Sequence, residues 1–485
     1  MSSPILSPTS PAVVPQSEFR RLKALLVLAV VYGVIFASHG LTGGHWLIWG
    51  ILAVVAVHSL RLILTRNLTQ NLTKKQTQTV VANHAQQAHA TTNQDGLPTV
   101  SLLVAAKNEE AVIGNLAHAL CHLDYPQDRL EVWIIDDNSS DRTGEVLTKL
   151  QVTLPQLRVL RRGAEAKGGK SGALNQVLSQ TTGEIIGVFD ADAQVPQDLL
   201  YSVVGLFQAA PPESPHRLGA LQLRKAITNA ADNFWTQGQS AEMALDVFLQ
   251  ERRIAIGGTG ELRGNGQFVA RAALDDCGGW NEQTITDDLD LTFRLHLQGW
   301  QINCLNFPAV QEEGVLTVKQ LWHQRNRWAE GGFQRYLDYW QPLVSGKLGF
   351  AKTLDVGIFF LSQYLLPSAF IPDLIGALVW HHAPLLGPLG ILTVGLSVVA
   401  MVGGVRQSYQ ASWGTSLGQT IGGTLYMMHW IPVMASVTLR MAFRAKRLKW
   451  VKTVHQGHPS GLVDSLVDSG LADSGSQPET PASKT

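Results

Sequence analysis

Five apolar runs stand toward the two ends of the chain and leave its middle free of them. Residues 24–38 and 46–64 come first; residues 356–380, 385–404 and 417–439 follow. A helix needs about 20 predominantly apolar residues to cross a bilayer core. Leu22 and Leu41 extend the short first run toward that length. Long apolar helices also occur in soluble cores, but two in a row flanked by basic residues argue for membrane spans. Arg20, Arg21 and Lys23 precede the first pair, the Gly-rich stretch 39–45 turns it, and Arg61, Arg66, Lys74 and Lys75 follow it. The excess of Lys and Arg puts both flanks of this hairpin in the cytoplasm. Arg440, Arg444, Lys446, Arg447, Lys449 and Lys452 mark the same side after the last run. Three full crossings after residue 350 would put that cluster outside, so parity predicts four spans and one interfacial or re-entrant segment. Pro367 and Pro372 point to the run 356–380 as the one that breaks.

Between the ends, residues 97–340 alternate short apolar runs of buried-strand type (100–105, 132–135, 158–160 and 185–189) with amphipathic helical stretches (109–122, 143–150, 171–180 and 197–208). That alternation predicts βαβ units and a mainly parallel sheet covered on both faces. In such sheets ligands bind beyond the carboxyl ends of the strands. The expected organisation is a disordered stretch at 1–20, a membrane hairpin at 21–66, a Gln-, Thr- and Ala-rich linker at 67–96, and an α/β domain at 97–340. Membrane or interfacial helices at 341–452 and a disordered tail at 453–485 complete it. Lys+Arg and Asp+Glu both number 38, so no global basic excess points to nucleic acid. Cys121, Cys277 and Cys304 have no metal-ligand spacing and leave an odd thiol, as expected of a reduced, cytosol-facing domain. A cleavable signal peptide is not expected, because the first apolar run follows a polar stretch and lacks a cleavage site.

Acidic residues fall where the strands end. Asp136-Asp137-Asn138-Ser139-Ser140-Asp141 follows one apolar strand. Its carboxylates suit a uracil N–H or ribose hydroxyls, whereas a polar turn with Ser140 or Asp141 capping the next helix accounts for one of them. Asp190-Ala191-Asp192 follows another strand. Two Asp one residue apart present hard oxygens to Mg²⁺ or Mn²⁺ bridging a diphosphate, though an isolated Asp-x-Asp is also an ordinary turn. Lys167-Gly168-Gly169-Lys170-Ser171 opens a helix, a setting suited to phosphate or to a basic surface loop. Thr286 is a natural N-cap for a helix with Asp287 and Asp288 in its first turn and Gly299 past its end. One of these carboxylates is a candidate general base. Gln324-Arg325-Asn326-Arg327-Trp328 offers a guanidinium for a diphosphate and an indole for packing, or an interfacial amphipathic helix.

The order of these motifs, from Ala105-Ala106-Lys107-Asn108-Glu109-Glu110 through Gln324-x-x-Arg327-Trp328, resembles the signature of family-2 glycosyltransferases over residues 97–340. The resemblance implies a GT-A fold (α/β, Rossmann-like, mainly parallel sheet), an inverting reaction and a divalent metal. It assigns Asp137, Lys170 and Asp190 to the nucleotide-sugar, Asp190 and Asp192 to Mg²⁺ or Mn²⁺, and Asp288 to the catalytic base. Gln324, Arg327 and Trp328 would hold the diphosphate and the acceptor-side pocket. Many members carry Thr-Glu-Asp where this chain has Thr286-Asp287-Asp288, which keeps the base and puts acceptor preference in question. Residues 260–269, Gly278-Gly279-Trp280-Asn281 and Thr286-Asp287-Asp288-Leu289-Asp290-Leu291 look like the members that transfer glucose from UDP-glucose to diacylglycerol. The expected partners are therefore UDP-glucose, diacylglycerol and a lipid bilayer, plasma or thylakoid, with the α/β domain on its cytoplasmic side. Two alternatives differ in class: a processive polysaccharide synthase, which shares Gln-x-x-Arg-Trp, and a non-catalytic scaffold or transporter. The filled acidic positions, and Asp373 as the one mid-span charge, disfavour the latter.

Overall fold

The computed structural model describes residues 19–65, 96–209 and 217–444. The expected disordered N-terminus apart from Phe19 and Arg20, the linker apart from Gly96, the tail, and Arg66, Lys74, Lys75, Lys446, Arg447, Lys449 and Lys452 lie outside the described residues.

The four expected strands form as β1 (Val100–Ala106), β2 (Leu130–Asp136), β3 (Leu157–Arg161) and β4 (Ile185–Phe189). Three more complete the sheet: β5 (Leu218–Ile227), β6 (Gln267–Ala270) and β7 (Gln301–Glu312). The order is β3-β2-β1-β4-β6-β5-β7, and only β6 runs antiparallel to its neighbours. The result is a GT-A-like, mainly parallel α/β sheet. Odd and even positions of the strands feed two separate cores. Leu102, Val104, Val132 and Ile134 pack with α3 (Ile113–Cys121), α4 (Thr143–Thr153) and α6 (Leu199–Ala209). Leu103, Trp133, Ile135 and Val188 pack on the other face with α5 (Gly169–Leu178), α8 (Arg271–Asp276) and α9 (Asp287–Leu297). This is the period-2 alternation of a sheet covered on both sides.

The helix expected at 109–122 starts four residues late. Asn108 is left-handed (φ 57°), and the Glu109 amide donates to Thr143 Oγ1 at 2.8 Å, so this stretch is spent on a turn against α4. Gly299 (φ 86°) stands just past Gln298, the C-cap of α9, as expected.

Around this domain lie α1 (Arg20–Gly40), α2 (His45–Leu64), α7 (Phe234–Ala255), α10 (Val318–Val344), α11 (Phe350–Phe360), α12 (Leu366–Val379), α13 (Gly387–Tyr409), α14 (Trp413–Met427) and α15 (Trp430–Phe443). Among the described residues four helices are long and apolar enough to cross a membrane: Arg20–Gly40, His45–Leu64, Phe350–Val379 and Gly387–Tyr409. The break falls elsewhere than expected. Pro367 and Pro372 leave their segment helical, whereas the run 417–439 divides at Met428-His429 into α14 and α15, of 15 and 14 residues. Neither reaches the length of a span. Pro367 is accommodated because a π-turn, Leu361–Leu365, lies directly before it. A proline ring crowds the carbonyl four residues back, and the wider winding relieves that clash.

Helix α7 joins the two halves of the molecule. Its start is fixed by a capping box, Asn233 Oδ1 accepting from the Trp235 and Thr236 amides at 2.8 and 3.1 Å. Its body packs on α13 and α14 through Ala241, Ala244, Leu245 and Phe248 against Ala400, Met401 and Val405. Helix α10 lies in a third cluster that draws Ala24 and Leu28 from α1, Phe293 from α9 and Val433 and Val437 from α15. An ion pair, Arg20 to Asp338 at 2.5 Å, ties the start of α1 to α10.

Candidate active site

Parallel register carries the strand ends to one edge. Ala106 pairs with Asp136, Val104 with Phe189, and Ile227 with Glu312. Asp136 itself turns inward: it is buried, and Oδ1 accepts from the Ser139 amide at 3.0 Å. Asp141 accepts from the Thr143 amide at 2.9 Å, so the two outer carboxylates of this cluster serve the turn. Asp137 faces the edge. Its Oδ1 accepts from Arg162 Nη1 at 2.5 Å. Arg162 also donates to the carbonyls of Gly169 (3.0 Å) and Lys167, fastening the basic loop beside Asp137. The loop turns on Gly168, whose φ of 83° suits glycine and whose added Cβ would stand 2.4 Å from Glu282 Oε2. This brings Lys170, in the first turn of α5, to Asp190 with Nζ 2.5 Å from Oδ1. Burial opposes the charge on both groups, but each outweighs that for the other: Lys170 titrates above its ordinary range and Asp190 below. Asp192 Oδ2 accepts from the Glu313 amide at 3.1 Å.

Helix α9 delivers the second set. Thr286 occupies its N-cap position, but the hydroxyl makes no cap bond and is buried without a hydrogen-bond partner, contrary to the expected role. It is instead pressed against α10 at Gly331, where a Cβ would stand 2.3 Å from Thr286 Oγ1. Asp287 Oδ2 likewise is buried without a partner. Burial, then the neighbouring Asp287 carboxylate, push Asp288 up to about 6, against a partial pull down from Lys170 and Arg263. A carboxyl that titrates there is ionised at neutral pH and a far better proton acceptor than an ordinary aspartate.

On α10, Gln324, Arg327, Trp328 and Gly331 follow at i, i+3, i+4 and i+7, one face of the helix. Arg327 lies in the field of Asp190, Asp288 and Asp287; burial still lowers its pKa overall. Arg325 is fully buried on the flank of this face and positions it. It donates to Gln324 Oε1 (3.0 Å), Glu242 Oε2 (2.5 Å) and the Tyr426 hydroxyl (2.8 Å), and its guanidinium lies 4.1 Å from the Trp328 ring centroid. Glu242 Oε1 in turn accepts from Trp430 Nε1 at 2.8 Å. The break between α14 and α15 is therefore bonded to the helix that carries Arg327.

All eight residues singled out from sequence (Asp137, Lys170, Asp190, Asp192, Asp288, Gln324, Arg327 and Trp328) line one cavity of about 910 Å³. Residues that the sequence reading missed line it too. Lys225 at the end of β5 pairs with Glu312 at the end of β7 (3.1 Å) and stands 5.0 Å from the Trp328 ring centroid. Arg263 bridges Asp246 (2.7 Å) and Glu261 (2.5 Å) beside Asp288. Three arginines outweigh burial to hold Glu261 well below the usual carboxylate range. Lys225 and Glu312 went unnoticed because β5 and β7 mix polar and apolar residues too evenly to register as buried strands. The same cavity is also lined by the apolar residues Leu245, Leu249, Phe359, Met427 and Met434.

No group of three or more His, Cys, Asp or Glu among the described residues has the arrangement of a self-sufficient metal site. Asp190 and Asp192 nonetheless fit a hard divalent cation. Mg²⁺ is commonly held by one or two carboxylates, with water and substrate phosphate completing its shell.

A family model described as glycosyltransferase like family 2 matches residues 98–331. The chain is 55% identical over 444 residues to a β-monoglucosyldiacylglycerol synthase of Trichormus variabilis, covering 90% of each chain. It is 53% identical over 446 residues to one of Synechocystis sp., covering 90% of this chain and 89% of that protein. Among solved structures it is similar to a Pyrobaculum calidifontis mannosyltransferase in complex with GDP-Man and Mn²⁺. That match has 18% identity and a TM-score of 0.49, over 83% of this chain and 99% of the other.

Proposed function

This chain is a glycosyltransferase and belongs to glycosyltransferase-like family 2; on that premise we propose that it transfers glucose from UDP-glucose to 1,2-diacylglycerol with inversion, giving β-monoglucosyldiacylglycerol. The observation that carries the reading is the single cavity with two characters. Its polar lining includes Asp137, Lys170, Asp190, Asp192 and Arg327, and its apolar lining comes from α7 (Leu245, Leu249) and from the helices after residue 350 (Phe359, Met427, Met434). A nucleotide-sugar suits the first and a neutral two-chain lipid the second. The glucosyl group and the diacylglycerol come from the names of relatives that share more than half of the aligned residues; the UDP carrier is what the family resemblance implies.

In this mechanism Asp137, steadied by Arg162, receives the uridine. Lys170 and Arg327 face the diphosphate, and Gln324 and Trp328 wall the sugar. Asp190 and Asp192 would hold Mg²⁺ or Mn²⁺, which supplies charge neutralisation for the departing diphosphate. Asp288 accepts the proton of the acceptor hydroxyl as its oxygen attacks the anomeric carbon from the face opposite UDP. The new O–C bond forms, the bond from carbon to the phosphate oxygen breaks, and UDP leaves with the electron pair. Ionised Asp288 is restored when its proton passes to water. The basic residues flanking the hairpin favour the cytoplasmic side for this chemistry.

The test is direct. Membranes carrying the chain are incubated with radiolabelled UDP-glucose and diacylglycerol, and the organic-soluble products are separated by thin-layer chromatography. A labelled monoglucosyl lipid that depends on added diacylglycerol is expected. Label confined to chloroform-insoluble polymer, or accepted only from another nucleotide-sugar, would overturn the reading.

A further inference from the structure

The π-turn at Leu361–Leu365 lies in a helix that otherwise runs from Phe350 to Val379. Such turns are rare and concentrate at functional sites. This one brings Phe359, Gln363 and Tyr364 onto the wall of the cavity that holds Asp288. Tyr364 sits against Gly332 of α10, where an added Cβ would meet its hydroxyl at 2.0 Å. The preceding residue, Gly331, abuts Thr286 at the start of α9. The π-turn is therefore two close contacts from the catalytic carboxylates. Ser368, the next polar residue, is satisfied within the helices by Tyr364 O (2.7 Å) and Thr438 Oγ1 (2.8 Å). Gln363 is half-buried on the cavity wall and makes no side-chain hydrogen bond to a described residue, so its amide is available to a ligand in the cavity.

Eight positions earlier, Asp355 is buried in an ion pair with Arg253 of α7 (2.9 Å). Sixteen positions later the helix ends at Val379, a rise of about 24 Å at 1.5 Å per residue, within a bilayer core of about 30 Å. Gln363 thus stands between a buried ion pair and the apolar remainder of a helix long and apolar enough to cross a membrane, and a glycerolipid brings its ester groups to the polar edge of such a stretch.

We propose that the Gln363 amide donates a hydrogen bond to an ester carbonyl of the acceptor lipid and so selects a diacyl acceptor and orients its free hydroxyl toward Asp288. The proposal rests on the acceptor reading above. The experiment compares kcat/KM for 1,2-diacylglycerol and for the ether analogue 1,2-dialkylglycerol, matched in chain length, in mixed micelles. The wild type is expected to prefer the ester roughly fivefold, the scale of one neutral hydrogen bond. Gln363→Met should abolish that preference by slowing the ester substrate alone, and Gln363→Asn, which keeps an amide, should retain a preference. A wild type indifferent to the ester, or a Gln363→Met that slows both acceptors equally, overturns the proposal while leaving diacylglycerol as acceptor. A wild type that glucosylates neither overturns the acceptor reading and the proposal together.

Discussion

In the proposed mechanism, Asp288 is where a single side chain's environment decides the chemistry. Its pKa of about 6 comes first from burial and second from Asp287; Lys170 and Arg263 pull the other way, and Arg327 faces it from α10. A general base works in its ionised form, so kcat/KM should fall tenfold per unit below about pH 6 and level off above it. Asp287→Asn removes the second cause, and the acid limb should then move to lower pH. A limb that stays in place would detach Asp287 from the titration. The raised pKa also has a sign for stability. Folding favours the protonated form, so ionised Asp288 destabilises the native state; that cost is absent below the ordinary range near 3.8 and complete above about 6. Asp288→Asn should accordingly lose 10²- to 10⁴-fold in kcat yet melt no lower than the wild type at pH 8, a pairing that thermal shift and rate measurements on the same preparation read together. The positions of Asp137, Lys170, Asp190 and Asp288 were open to sequence reading because each motif ends a strand or starts a helix. The hydroxyl of Thr286 was not: a threonine before two aspartates predicts a cap, and only the approach of α10 shows why it is diverted.

At the scale of elements, the active site depends on how closely α10 lies on α9. Gly331 leaves no room for a side chain, since a Cβ would overlap Thr286 Oγ1, Cγ2 and Cβ at 2.3, 2.4 and 2.8 Å. Gly331→Ala should push α10 outward, cost about 1–3 kcal/mol in stability, and lower kcat by separating Arg327 from the carboxylates. Gly357→Ala is the matched control, because nothing lies within 4 Å of its added Cβ; there alanine should be neutral or stabilising by up to about 1 kcal/mol. Denaturation midpoints and initial rates of the two variants decide the point, and equal effects would sink it. The elements themselves were unevenly legible. β1, β2 and β4 are mainly apolar and almost wholly buried, and composition marks them; the edge strand β3 shows only the short run 158–160 within an otherwise more exposed strand. β5 carries Gln222, Arg224 and Lys225, and β7 carries Asn303, Asn306 and Gln311; their polar residues serve the cavity and the α7 side, which erases the pattern a buried strand needs. Parity of charge predicted four spans and one interfacial or re-entrant segment, and among the described residues four helices are long and apolar enough to cross a membrane. Which segment breaks was misjudged, because a proline looks like a helix breaker in sequence while a π-turn that absorbs it leaves no compositional mark.

For the whole molecule, the join between the α/β domain and the membrane helices sets how many sugars one acceptor receives. In the proposed mechanism the acceptor lies against the apolar lining of the cavity, which includes Leu249 and Met434, and the donor against its polar lining, which includes Asp137 and Asp190. A diacylglycerol whose chains stay in the bilayer can raise its free hydroxyl only as far as Asp288, a reach fixed by the depth of the ester groups and the short glycerol arm. After transfer, the terminal hydroxyls of the new sugar lie a hexose further out, in the space the nucleotide-sugar must occupy for another turnover. Elongation would require the lipid to sink by the length of a hexose. In a polymer synthase that displacement is accommodated by a channel between spans, whereas here α14 and α15 are too short to cross and Glu242 binds their junction to Arg325. The expected product therefore carries one glucose per lipid, and monoglucosyldiacylglycerol supplied as acceptor should be a poor substrate. Mass spectrometry of lipids extracted after prolonged incubation with excess UDP-glucose checks this, and a ladder of two, three and more hexoses would show that the acceptor is free to slide.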